Sequence, residues 1–162
     1  MEGVASEWSD LFVASAGASA ALAGLLFVAV SINVDRIVGG EGLPELAAMA
    51  LLLLVGVLVV SLFCLIPGQE AKVLGIELLI QSIFWTAAIF WCARLSFPSD
   101  RAGYQYVSRV VLPVFGTLPY LVGSVFLLAG VGDGMYWILA GMIGAILSAI
   151  MNAWILLIEV VR

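Results

Sequence analysis

The chain has 162 residues, of which 64% are hydrophobic and 10% charged, against about 45–50% and about 25% in ordinary soluble domains. Six Lys and Arg against eleven Asp and Glu leave a net charge of −5, and there is no histidine. This excludes a nucleic-acid reader, whose surface must attract phosphate. It also removes the commonest general base and the commonest transition-metal ligand.

About 20 apolar residues are needed to cross a bilayer as a helix. Five stretches qualify, at residues 11–33, 46–66, 73–93, 110–130 and 135–158, and only the third carries a charge, Glu77. Backbone groups in hydrocarbon must bond within their own segment, so open chains cross as helices. The expectation is an all-α polytopic bundle of five transmembrane helices in a single membrane domain covering residues 1–162.

The first span is dominated by small residues, and Gly17, Gly24 and Ser31 recur every seven positions along one stripe. Small residues let helices approach closely, which is the main source of association in lipid. The stripe places this helix at the centre of the bundle or at a contact between subunits. The connector at residues 34–45 holds Gly39, Gly40 and Pro44, and reads as a turn.

The second span ends at a Pro67-Gly68 turn. On the third, Glu77 lies about one and a half turns inside Lys72, and Gln81 follows one turn deeper on the same face. Cys64 and Cys92 fall near opposite ends of spans two and three. They are read as packing residues, since a disulfide needs Cα atoms within about 7 Å.

The longest connector, residues 94–109, carries Arg101, Tyr104, Tyr106 and Arg109 and is the candidate surface for contact with a partner. In the fourth span, Pro113, Gly116 and Pro119 fall within seven residues. Each proline removes a ladder bond, so a kink is expected there. Broken membrane helices often frame ion or substrate sites.

Gly130-Val131-Gly132-Asp133 spells the GxGD pattern of intramembrane aspartyl proteases. Those enzymes need a second facing aspartate to share a proton. Only Asp10 lies at the same boundary, without a matching motif, and a tight turn explains the segment better. No catalytic residue, cofactor or metal site is expected, and the chain reads as a non-enzyme.

On the fifth span Gly141, Ser148, Asn152 and Glu159 share one face, since steps of seven and four return close to the same angle. Gly141 reads as a helix-packing position. If spans three and five are neighbours, Glu77, Gln81, Ser148, Asn152 and Glu159 form a polar ladder. With no Lys or Arg deep enough in the membrane to neutralise it, such a path favours cations or protons. The same side chains also read as interhelical glue, worth about 0.6–2 kcal/mol each.

Basic residues set the orientation. Lys72 stands alone on one side, against Arg36, Arg94, Arg101, Arg109 and Arg162 on the other. The positive-inside rule then puts the N-terminus outside and the C-terminus in the cytoplasm.

The run from Trp8 to Ala14, continuing through Gly17 and from Gly24 to Asn33, resembles the opening of a family of small five-span bacterial membrane proteins best represented in actinobacteria. The ending from Asn152 to Glu159 and the Leu65-Ile66-Pro67-Gly68-Gln69 turn are similar to the same family. Some members bear the label of modulators of the membrane-anchored AAA protease. The resemblance implies a multi-pass protein of the bacterial cytoplasmic membrane.

The functional expectation is a homo-oligomeric, non-enzymatic membrane assembly with a cation or proton pathway. The alternative is an accessory subunit docked on a larger membrane complex such as a protease. The partners expected are the lipid bilayer, further copies of the chain and another membrane protein, with no nucleic acid.

Overall fold

A computed structural model describes residues 5–95, 110–130, 132 and 134–161. They form helix α1 (Ser9–Ile32), a short α2 (Val34–Gly39), α3 (Leu43–Cys64), α4 (Ala71–Leu95), α5 (Leu112–Ala129) and α6 (Gly134–Val161). A 3₁₀ turn, Ser6–Trp8, leads into α1. All helices but α2 belong to five segments long and apolar enough to cross a membrane. The described chain is therefore an all-helical bundle with the character of an integral membrane protein.

Sequence signals account for the helix ends. Pro44 sits in the first turn of α3, where its missing N–H leaves no bond unmade, behind Gly42 in the left-handed region at φ 73°. Gly130 closes α5 in the same left-handed conformation, at φ 70°. Helix α2 falls inside the connector expected to be a turn. It is amphipathic, burying Ile37 while Asp35 and Arg36 remain exposed.

Four of the long helices close a ring. Helix α3 packs on α4, α4 on α5, α5 on α6, and α6 back on α3, while α1 lies outside the ring against α3. In the most apolar stretch of α3 56% of residues are buried, against 17% for α1. The central helix is thus α3. The small-residue composition of α1 does not place it there, because in lipid a small residue stabilises only when another helix lies against it. The face of α1 that packs on α3 carries Phe12, Ser19 and Leu26, also spaced by seven.

Close packing through small residues occurs instead between α5 and α6. A methyl added at Gly116 would come 2.8 Å from Cα of Ala145, and one at Gly123 would come 2.9 Å from the Gly134 carbonyl. Gly141 lies under the ring of Tyr120. Backbones approach here as they do in small-xxx-small pairs.

The two ends of the bundle are tied separately. At one, the rings of Trp8 and Tyr136 meet edge to face with centroids 5.0 Å apart. At the other, Arg36 Nη1 donates to the Val160 carbonyl at 3.2 Å, a cation on one of the last carbonyls of α6.

Candidate functional site

The interior of the ring is more polar than a bilayer bundle needs. Gln81 and Ser82 on α4, Thr117, Tyr120 and Ser124 on α5, and Ser148 and Asn152 on α6 are all buried. Membrane helices bury such groups against one another because lipid offers them no partner.

Helix α4 is knit to α3 by two rungs. Gln81 Nε2 donates to the Gly56 carbonyl at 3.1 Å, and Trp85 Nε1 donates to the Leu52 carbonyl at 2.7 Å. The four-residue steps match because the helices run antiparallel. Gly56 makes room for the Trp85 ring, since a methyl there would come 2.8 Å from it. Nearer the start of α4, Glu77 is half-buried and its Oε2 accepts from Gln69 Nε2 of the preceding turn.

On the opposite side, Ser148 Oγ lies 2.6 Å from the Leu112 carbonyl and 2.7 Å from the Gly144 carbonyl, within donor reach of both. Asn152, one turn further, is fully buried, and neither Oδ1 nor Nδ2 has a hydrogen-bond partner among the described residues. Glu159 is half-buried beside Val160, whose carbonyl takes the Arg36 bond.

Spans three and five therefore stand diagonally across the ring, with α3 and α5 between them, and not side by side. The expected ladder divides into parts with different partners. Glu77 is held by the turn, Gln81 by α3 and Ser148 by α5, while Asn152 remains unbonded. Gly17, Gly24 and Ser31 are exposed on α1, and methyls added at the two glycines would meet nothing within 4 Å.

Of the two prolines, Pro113 falls in the first turn of α5, where it initiates the helix without breaking it. Pro119 is interior. It cannot offer an N–H to the Phe115 carbonyl four residues back. Arg101, Tyr104, Tyr106 and Arg109 lie outside the described residues, as does Asp133 of the GxGD segment.

At the middle of the ring, side chains from all four helices enclose a cavity lined by Gln81, Ser82, Trp85, Thr117, Tyr120 and Ala145, among others. About 20 Å³ of it is open to the centre of a water molecule. Gln81 and Tyr120 each carry a buried polar atom, Gln81 Oε1 and the Tyr120 hydroxyl, with no hydrogen-bond partner among the described residues. Tyr120 and Thr117 were not among the expected site residues. The available signal was Thr117, Tyr120 and Ser124 at steps of three and four, a polar stripe on an otherwise apolar helix.

No protein-family model, curated protein or solved structure matches the chain. The functional reading rests on this geometry.

Proposed function

We propose that the protein is a non-enzymatic, multi-pass membrane protein that relays protons along the polar interior of its four-helix ring. The path runs between Glu77 near one end and Glu159 near the other, through Gln81, Ser148 and Asn152. The observation that carries this reading is the set of buried, unpartnered polar atoms: Gln81 Oε1, the Tyr120 hydroxyl and both polar atoms of Asn152. Polar groups inside the membrane are costly, and those that packing does not consume mark pathways.

The interior argues for protons over metal cations. The central cavity admits about one water, too little for an ion that needs several oxygen ligands at once, whereas a proton needs only a chain of hydrogen bonds. The orientation proposed, from the arginine distribution, is N-terminus out and C-terminus in, across a bacterial cytoplasmic membrane.

The test is proton flux into liposomes carrying the purified chain, driven by a potassium potential and read with an internal pH dye. The expected result is flux above that of empty liposomes, lost in Asn152→Leu and reduced in Glu77→Gln. Flux equal to the empty-liposome leak overturns the relay.

A second reading follows from α1. Its exposed stripe of Gly17, Gly24 and Ser31 is open to close approach by another helix. On this reading α1 is where the subunit meets a further copy or a larger membrane complex. Crosslinking of native membranes through a photoreactive residue beside Gly24 decides it. A product at the mass of two chains supports self-association, a heavier mixed product supports an accessory role, and no product removes both.

A further inference from the structure

Gln69 stands outside the path proposed above, yet it is the side chain that holds Glu77. Gly68, in the left-handed region at φ 70°, turns the chain between α3 and α4. Beyond it, Gln69 Nε2 donates to Glu77 Oε2 on the second turn of α4 at 2.5 Å. Among the described residues this is the amide's one hydrogen bond, since Gln69 Oε1 is buried with no partner.

The orientation of the amide is therefore decided by Glu77. The last torsion of a glutamine is broad and roughly two-fold, and half a turn about it exchanges Oε1 and Nε2 in place. Each orientation leaves one polar atom stranded in the same buried spot, so the other described residues favour neither. An ionised carboxylate can only accept, and selects the nitrogen. A protonated carboxyl gains an O–H donor, and selects the oxygen. The spacing of 2.5 Å suits that second pair as well, because O–H···O bonds run from about 2.5 to 3.0 Å.

We propose that Gln69 is a positioning residue whose amide follows the charge on Glu77. Nε2 donates to the carboxylate. When half-buried Glu77 takes up a proton from the water at that end of the bundle, the amide turns over and Oε1 accepts the new O–H. This rests on the relay reading, in which Glu77 gains and releases protons. A group that could only donate would favour the charged form alone, whereas a reversible amide keeps Glu77 in one place in both states.

Few ionisable groups surround the pair among the described residues. Lys72 lies on the same helix and Glu70 in the turn, while Glu7 and Asp10 flank the part of the N-terminal segment that meets Gln69; all four are exposed, where salt and water screen them. From α3 comes Cys64, within electrostatic reach of Glu77, and the sole ionisable group of α5 is Tyr120.

The experiment uses the full chain in lipid bilayers, with isotope-labelled glutamine and glutamate, followed by solid-state NMR from neutral to acid pH. The Gln69 amide is assigned through its chain neighbours Gly68 and Glu70. It should shift with the same midpoint as the Glu77 carboxyl carbon, and its contact with that carbon should pass from the nitrogen to the oxygen-bearing carbon. In Glu77→Gln the Gln69 signals should stay flat across the same range. A Gln69 amide that stays fixed while Glu77 titrates overturns the proposal. So does a shift that persists in Glu77→Gln, or a Glu77 that takes up no proton while the bundle stays folded. Proton flux separates this from the relay: no flux with coupled titration rejects the relay and keeps the coupling, and flux with a fixed amide does the reverse.

Discussion

The Phe115 carbonyl, denied its helical donor by Pro119, lies against Cα of Gly144 on the neighbouring helix. A methyl at position 144 would collide with this oxygen, and with the Phe115 carbonyl carbon at 3.0 Å. Glycine therefore does two things at once. It admits the close approach of α5 and offers a Cα–H to the freed acceptor, a weak bond worth about 0.5–1 kcal/mol.

Gly144→Ala accordingly forces α5 and α6 apart, and the obstacle is backbone, which cannot rotate aside. Overpacking of this kind costs about 1–3 kcal/mol. Thermal unfolding in mild detergent should show the Tm falling, while Gly17→Ala, with no atom within 4 Å of the added methyl, leaves it unchanged. Equal effects at the two glycines would contradict the ring.

Trp85→Phe keeps most of the ring and removes the bond to the Leu52 carbonyl at 2.7 Å. Interhelical side-chain bonds in membranes contribute about 0.6 kcal/mol on average, with a maximum near 1.7. This bond is short, and Gly56 clears the space beside the Trp85 ring, so the loss should sit in the upper half of that range. The check is the refolding equilibrium in denaturing detergent. A loss near zero would mean that Trp85 only fills volume.

The spans were legible because hydrocarbon imposes one simple demand, about 20 apolar residues in a row. The expected 73–93 and the observed Ala71–Leu95 differ by two residues at each end. Which face of each helix packs was not legible in the same way. In a soluble helix the apolar stripe marks the core, but α1 and α3 are apolar on every side, so nothing in their hydropathy distinguishes neighbour from lipid. Hence Gly17 and Gly24 could be recognised as small, yet not placed. Their stripe lies about 140° around α1 from Phe12, Ser19 and Leu26 at 100° per residue. Polar residues carried more information. Gln81, Ser148 and Asn152 stood out in the sequence and are buried. Tyr120 did not, because nothing in the sequence brings it together with Gln81, which lines the same cavity.

Gly130 ends α5 at φ 70°, with open space where a side chain would sit. Steric collision therefore plays no part, and Gly130→Ala isolates the backbone term. Left-handed conformation costs a residue with a Cβ roughly 1–2 kcal/mol. The Tm should fall accordingly, and hydrogen exchange should quicken in the last turn of α5 before it changes at Gly144. Unchanged stability would show that the turn can adopt another conformation at no cost.

Asn152 supplies the sharpest separation of stability from function. It is fully buried, and both of its polar atoms lack a partner. An unsatisfied buried group of this kind costs about 1–3 kcal/mol, and an apolar replacement of similar shape recovers much of that. Asn152→Leu should therefore raise the Tm of the purified protein. If protons travel the ring interior, the same substitution removes a step of the path and abolishes flux. A variant that is both more stable and inactive is what a functional polar residue predicts. A variant that loses stability would show instead that the amide is bonded in the membrane, and that Asn152 belongs with Gln81 Nε2 and Trp85 Nε1 as glue between helices.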